Sequence, residues 1–197
     1  MLNPQFIELM KISRLVGVGL LAVGSVVFAG ESKVTLKGVH LCCNSCVHGV
    51  EDAVKGMKGV SAKADKDAET VTLVAEDGAT LQKAVDALAA GGYFGVAEGG
   101  DVKPMANTGA SNKNVKSMIV TGTHLCCGGC VKAVDRAVKE TPGATAHTAK
   151  KNGKTFVVTG DFNDQKFFEA LQKEGLSGRV TDKEIVTTEK SDGKSDH

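Results

Sequence analysis

The stretch His40-Leu41-Cys42-Cys43-Asn44-Ser45-Cys46-Val47 returns as His124-Leu125-Cys126-Cys127-Gly128-Gly129-Cys130-Val131, 84 residues further on. All six cysteines of the 197-residue chain lie in these two clusters. A repeat constrains the fold more than any bulk property, because each copy must build the same unit from a similar apolar pattern. Whatever function the sequence shows is in these two loops.

Each repeat spans roughly 65–70 residues, a size that buries about 60% of its unfolded surface and can fold alone. Seven Phe, one Tyr and no Trp leave the cores mostly to Val, Leu and Ala. The formal charge is +1, and removing a leader through Ala29 takes away Lys11, Arg14 and Glu8 and leaves the charges balanced. A neutral chain offers no electrostatic footprint for nucleic acid or for an anionic membrane. Neither is expected as a partner.

Residues 1–29 read as a signal peptide. Lys11 and Arg14 precede an apolar run, Leu15 to Ala29, and Val27-Phe28-Ala29 sets small residues at a cleavage site. The run is shorter than the about 20 residues a bilayer span needs. Membrane contact is expected only through an uncleaved signal, and the protein is expected to be periplasmic or secreted. Outside the cytosol thiols tend to become disulfides. Three cysteines per loop there call for oxidation or for a bound metal.

The first repeat, 31–98, opens with the alternating stretch Lys33 to Val39, a half-buried strand. After the cysteine loop the period changes, and Val47, Val50, Val54 and Met57 form one stripe of a helix. Val60 to Lys66 and Thr70 to Ala75 read as two strands about the turn Asp65-Lys66-Asp67. Thr80 is the expected cap of a second helix with Leu81, Ala84, Val85 and Leu88 inside, and Gly91-Gly92 stops it. Tyr93 to Ala97 supplies a last strand. Residues 99–114 read as a flexible linker, so the two loops are expected either to approach each other or to work alone. The second repeat, 115–184, keeps the pattern: Val131, Val134 and Val138 on the first helix, Thr155 to Thr159 as a strand, and Phe167, Phe168 and Leu171 on the second helix. The polar tail, 185–197, is expected to lack fixed structure. The order strand, helix, strand, strand, helix, strand predicts an α+β protein of two tandem ferredoxin-like βαββαβ sandwiches.

Cys43 and Cys46 stand at a strand-to-helix junction, as do Cys127 and Cys130. A thiol in a helix's first turn meets free N–H groups and the positive dipole end, which favour thiolate. Two-residue spacing lets both sulfurs converge, and soft thiolates select soft ions. The segment Cys43-Asn44-Ser45-Cys46-Val47-His48-Gly49-Val50-Glu51-Asp52-Ala53-Val54 resembles the heavy-metal-associated domain, and Cys127-Gly128-Gly129-Cys130-Val131-Lys132-Ala133-Val134 resembles it again. That family includes copper chaperones, the periplasmic mercury-binding protein and the metal-binding domains of copper-transporting P-type ATPases. Gly92-Tyr93 is similar to the Gly-Tyr before the family's last strand. The resemblance implies metal binding by Cys43, Cys46, Cys127 and Cys130.

The chain departs from the family's Met-Thr approach: Val39-His40-Leu41-Cys42 and Thr123-His124-Leu125-Cys126 bring an extra cysteine and a histidine to each loop. Cys42 and Cys126 are candidates for a third ligand or a resolving thiol, and His40 and His124 for nitrogen ligands. Two sulfurs suit Cu(I), the first expectation, or Hg(II); three cysteines and a histidine suit tetrahedral Zn(II). His48 and His147 lack counterparts and read as surface residues. The expected function is capture of soft metal ions for transfer, storage or detoxification, with a metal transporter or another metal-carrying protein as partner. A thiol–disulfide redox protein or sensor using the same Cys-x-x-Cys pairs is the alternative. No other catalytic constellation is present, so no enzyme is expected.

Overall fold

A computed structural model describes residues 30–181 and the backbone of Val186–Thr187. The signal peptide expected over 1–29 and most of the tail expected over 185–197 lie outside the described residues. The first unit runs β1 (Ser32–Lys37), α1 (Asn44–Val54), β2 (Val60–Asp65), β3 (Thr70–Ala75), α2 (Gly78–Ala90) and β4 (Val96–Glu98). The second runs β5 (Asn114–Thr121), α3 (Gly128–Glu140), β6 (Ala144–His147), β7 (Thr155–Asn163), α4 (Asp164–Lys173) and β8 (Arg179–Val180), with β9 (Val186–Thr187) beside β5. Strand orders are β2-β3-β1-β4 and β6-β7-β5-β8, antiparallel throughout. This is the ferredoxin-like sandwich, twice. Among the described residues no helix is long and apolar enough to cross a membrane.

Alternation sets the inner faces. Val34 and Leu36 of β1 turn inward with Val71 and Leu73 of β3, while Lys33, Thr35 and Lys37 stay outside. The expected inner face of α2 is buried in full, Leu81, Ala84, Val85 and Leu88. Its cap is Asp77, whose carboxylate accepts from the Thr80 N–H at 2.7 Å; Thr80 supplies the donor and not the cap. On α1 the buried stripe is Cys46, Val50 and Val54, and Val47 is only half-buried. On α3 it is Cys130, Ala133, Val134, Ala137 and Val138. The stripe begins one residue before the expected valine because a buried thiol packs as a small apolar group. β7 runs four residues beyond the expected Thr159, with Gly160 taking φ 144 where β6 and β7 shift register.

The linker is anchored. Val102 and Thr108 are buried, Lys103 N–H donates to the Gln82 side chain and Lys103 C=O accepts from it, and Val180 N–H donates to Thr108 C=O. At its end the buried Asp164 carboxylate accepts from Ser111 N–H and hydroxyl and from Lys113 N–H. One acidic side chain thus ties the linker to the start of α4.

The two units close on each other about equivalent residues. Tyr93 and Leu176, which hold the same place in each repeat, pair as an antiparallel bridge. Phe94 N–H donates to Gly175 C=O at 3.1 Å, and Ser177 N–H donates to Gly92 C=O at 2.9 Å. Gly92 has φ 93 and Gly175 φ 73, both in the left-handed region. A Cβ on Gly92 would run into the His124 backbone, and one on Gly175 into Gly38 and His40. Each glycine therefore lets one repeat sit directly against the approach to the other's cysteine loop.

Candidate metal centre

That closure brings both loops to one place. Cys43 is the N-cap of α1 and Cys127 the N-cap of α3; neither makes a side-chain capping bond, and neither helix has an acidic residue in its first turn. The positive ends of both helices therefore lie at the cysteine loops. Cys46 and Cys130 are buried at the third helical position.

All six cysteines are free thiols in one nest. Within the first repeat Cys42 Sγ is 3.6 Å from Cys46 Sγ, and Cys43 Sγ is 3.8 Å from it. The second repeat gives 3.7 and 3.9 Å for the matching pairs. Between repeats the sulfurs are as close or closer: Cys42 to Cys127 2.9 Å, Cys42 to Cys130 3.7 Å, Cys43 to Cys126 3.5 Å and Cys46 to Cys126 3.4 Å. Of the two arrangements expected, the structure has the loops together. The duplicated loops make one connected cluster, because the glycine-mediated closure removes the space between them.

The histidines flank the nest. A ring nitrogen of His40 lies within 4.8 Å of the sulfurs of Cys42 and Cys130. His124 stacks on Tyr93 with centroids 4.7 Å apart. Nε2 of both histidines is buried with no hydrogen-bond partner, as is Thr123 Oγ1. An orphaned buried nitrogen beside thiols is a donor set that a soft or borderline metal would satisfy. Tyr93, expected at the start of the last strand, donates its hydroxyl to Cys46 C=O at 3.0 Å. A Cβ on Gly49 would overlap the Tyr93 hydroxyl, so the glycine one turn into α1 makes room for that ring. His48 is exposed, but His147 is not a surface residue: its side chain is 10% exposed, 2.8 Å from Asp135, and accepts from Ala149 N–H.

Protons are distributed unevenly over the sulfurs. The neighbouring Cys130 thiol pulls the Cys46 thiol far down, burial opposes it, and His124, Cys126 and the Cys43 backbone help to lower it. Cys130 is pushed up for the same reason, holding the proton beside the Cys46 thiolate. Burial pushes Cys42 up to about 12 and raises Cys126 as well. Burial also acts against ionisation of Cys127, yet bonds from Cys42 and the surrounding backbone bring it down to about 7. Thiolates crowded at this spacing cannot all ionise without a cation among them.

No protein-family model matches the chain, and no curated protein matches it. Among solved structures the chain is similar to "PacS, N-terminal domain, from Synechocystis PCC6803", at 19% identity and a TM-score of 0.29, over 35% of this chain and 97% of that one. It is also similar to the N-terminal soluble domains of Bacillus subtilis CopA, at 16% identity and a TM-score of 0.28, over 78% of this chain and 95% of that one. The fold assignment stands on the strand order of the chain itself.

Proposed function

We propose that this chain is an exported metal-binding protein, not an enzyme, which captures soft ions in its cysteine nest for transfer, storage or detoxification. The observation that carries the reading is the convergence of six free sulfurs at the N-termini of α1 and α3. Thiolates select soft ions, and Cu(I) is the first choice because it accepts two or three sulfurs. Hg(II) would use the Cys43–Cys46 or Cys127–Cys130 pair. Zn(II) would draw on the set His40, Cys42 and Cys130, which offers nitrogen with sulfur. Release to a transporter or another metal-carrying protein would proceed by exchange, an incoming thiolate replacing a bound one. The charge order at residues 8–29 supports delivery to the periplasm or outside the cell.

The test is competition of the reduced chain with a chromophoric Cu(I) chelator under anaerobic conditions. The parent should strip Cu(I) from the chelator, and the variant with Cys43, Cys46, Cys127 and Cys130 changed to Ser should not. Equal retention by the two, or turnover of a disulfide substrate by a metal-free chain that ignores copper, overturns the assignment.

A further inference from the structure

We infer that the extra cysteines serve the opposite repeat: Cys126 is the third ligand of the Cys43–Cys46 site, and Cys42 is the third ligand of the Cys127–Cys130 site. The inference rests on the proposed metal binding and adds to it how the sites are built. It predicts two three-sulfur Cu(I) sites that exist only while both repeats are closed on each other.

The distances carry it. Cys126 approaches both sulfurs of the first pair, at 3.5 and 3.4 Å, whereas that loop's own extra cysteine, Cys42, lies 3.6 Å from Cys46. Cys42 approaches both sulfurs of the second pair, at 2.9 and 3.7 Å, while Cys126 is 3.7 Å from Cys130. Two triangles result, Cys43–Cys46–Cys126 and Cys127–Cys130–Cys42, with edges between 2.9 and 3.9 Å. Three sulfurs each about 2.3 Å from one ion lie about 3.8–4.0 Å apart. The Cys43–Cys46 and Cys127–Cys130 edges, at 3.8 and 3.9 Å, already have that length; the Cys126 edges, at 3.5 and 3.4 Å, are a little short, and the Cys42–Cys127 edge, at 2.9 Å, must open by about 1 Å to complete its triangle.

Gly129 supplies a second observation. A Cβ there would stand 2.9 Å from Cys42 Sγ, 3.1 Å from Cys42 Cβ and 3.4 Å from Cys127 Sγ. The second loop thus lacks a side chain at the point where Cys42 of the first repeat enters. The first loop has Ser45 at the matching place, and there the contact from Cys126 to Cys43 is the longer one, 3.5 against 2.9 Å. An extra cysteine just before a Cys-x-x-Cys pair has this use only when another loop is opposite it. Loading is balanced by protons: each thiol that ligates gives its proton to solvent, and no electrons move.

The full chain carrying Cys127→Ser and Cys130→Ser keeps one pair and both extra cysteines, so it isolates the question. Cu(I) is added to the reduced protein, and sulfur number is read by X-ray absorption alongside chelator competition. Three sulfurs are expected. Adding Cys126→Ser should lower the number to two and weaken binding by at least about tenfold, while adding Cys42→Ser should change neither. Circular dichroism confirms that each variant is folded, and Cys126→Ala repeats the test with a different side chain. If Cys42→Ser causes the loss and Cys126→Ser does not, the crossing is wrong and the proposed function survives. Two sulfurs in the starting variant also overturn the crossing. Failure of the parent chain to bind Cu(I) at all overturns the proposed function, and the crossing with it.

Discussion

At the residue scale, the nest holds groups whose ionisation differs between the folded and unfolded chain. Burial lowers His40 below its ordinary 6.5, so the unfolded chain takes up that proton first. Stability from this group is present above about pH 6.5 and is lost as pH falls below it. Cys127 is depressed to about 7 from an ordinary 9, and its contribution is full above 9 and is lost as pH falls through 7. Both act in the same direction. The urea midpoint of the reduced, metal-free chain should therefore fall between pH 8.5 and 5.5, and His40→Gln should flatten the part below 6.5. A midpoint constant over that range would contradict the assigned environments. The candidate ligands themselves were legible in the sequence because the whole loop repeats. Their partnership was not, since an offset of 84 residues states which positions are equivalent and nothing about which are near. Tyr93 was legible only as the start of a strand; its bond to Cys46 C=O depends on Gly49 one turn away, a relation no local pattern carries.

At the element scale, the strands and helices followed from period and turn chemistry, with two informative departures. Valines alone began the α1 and α3 stripes one residue late, at Val47 and Val131, because Cys46 and Cys130 act as apolar residues on the buried face, while Val50, Val54, Val134 and Val138 lie on it as expected. The linker read as free because it is rich in Gly and Asn, yet Asp164 collects its end. Asp164 is 1% exposed and accepts from two backbone N–H groups and the hydroxyl of the linker segment. Asp164→Ala would remove the acceptor of three part-buried hydrogen bonds, at a cost of about 1–3 kcal/mol. A lowered thermal midpoint with faster proteolysis between residues 99 and 114 is the expected result. Unchanged stability and protease resistance would show that the linker is held by something else.

At the scale of the whole molecule, two like sandwiches meet about equivalent residues, with Gly92 and Gly175 each leaving no room for a Cβ against the other sandwich's backbone. The consequence is one sulfur nest where two separate loops would otherwise stand. The three-sulfur sites and the set His40, Cys42 and Cys130 depend on that juxtaposition, and it can be measured without metal. In a chain whose Cys43, Cys46, Cys126 and Cys130 are changed to Ser, only Cys42 and Cys127 remain, with sulfurs 2.9 Å apart. Mild oxidation of the folded chain should join them within one molecule at least about ten times faster than in denaturing urea, as expected of groups held together and not merely tethered. Peptide mapping would show the bridge between residues 42 and 127. A folded-state rate no greater than the unfolded one, or bridges formed only between molecules, would contradict the single nest.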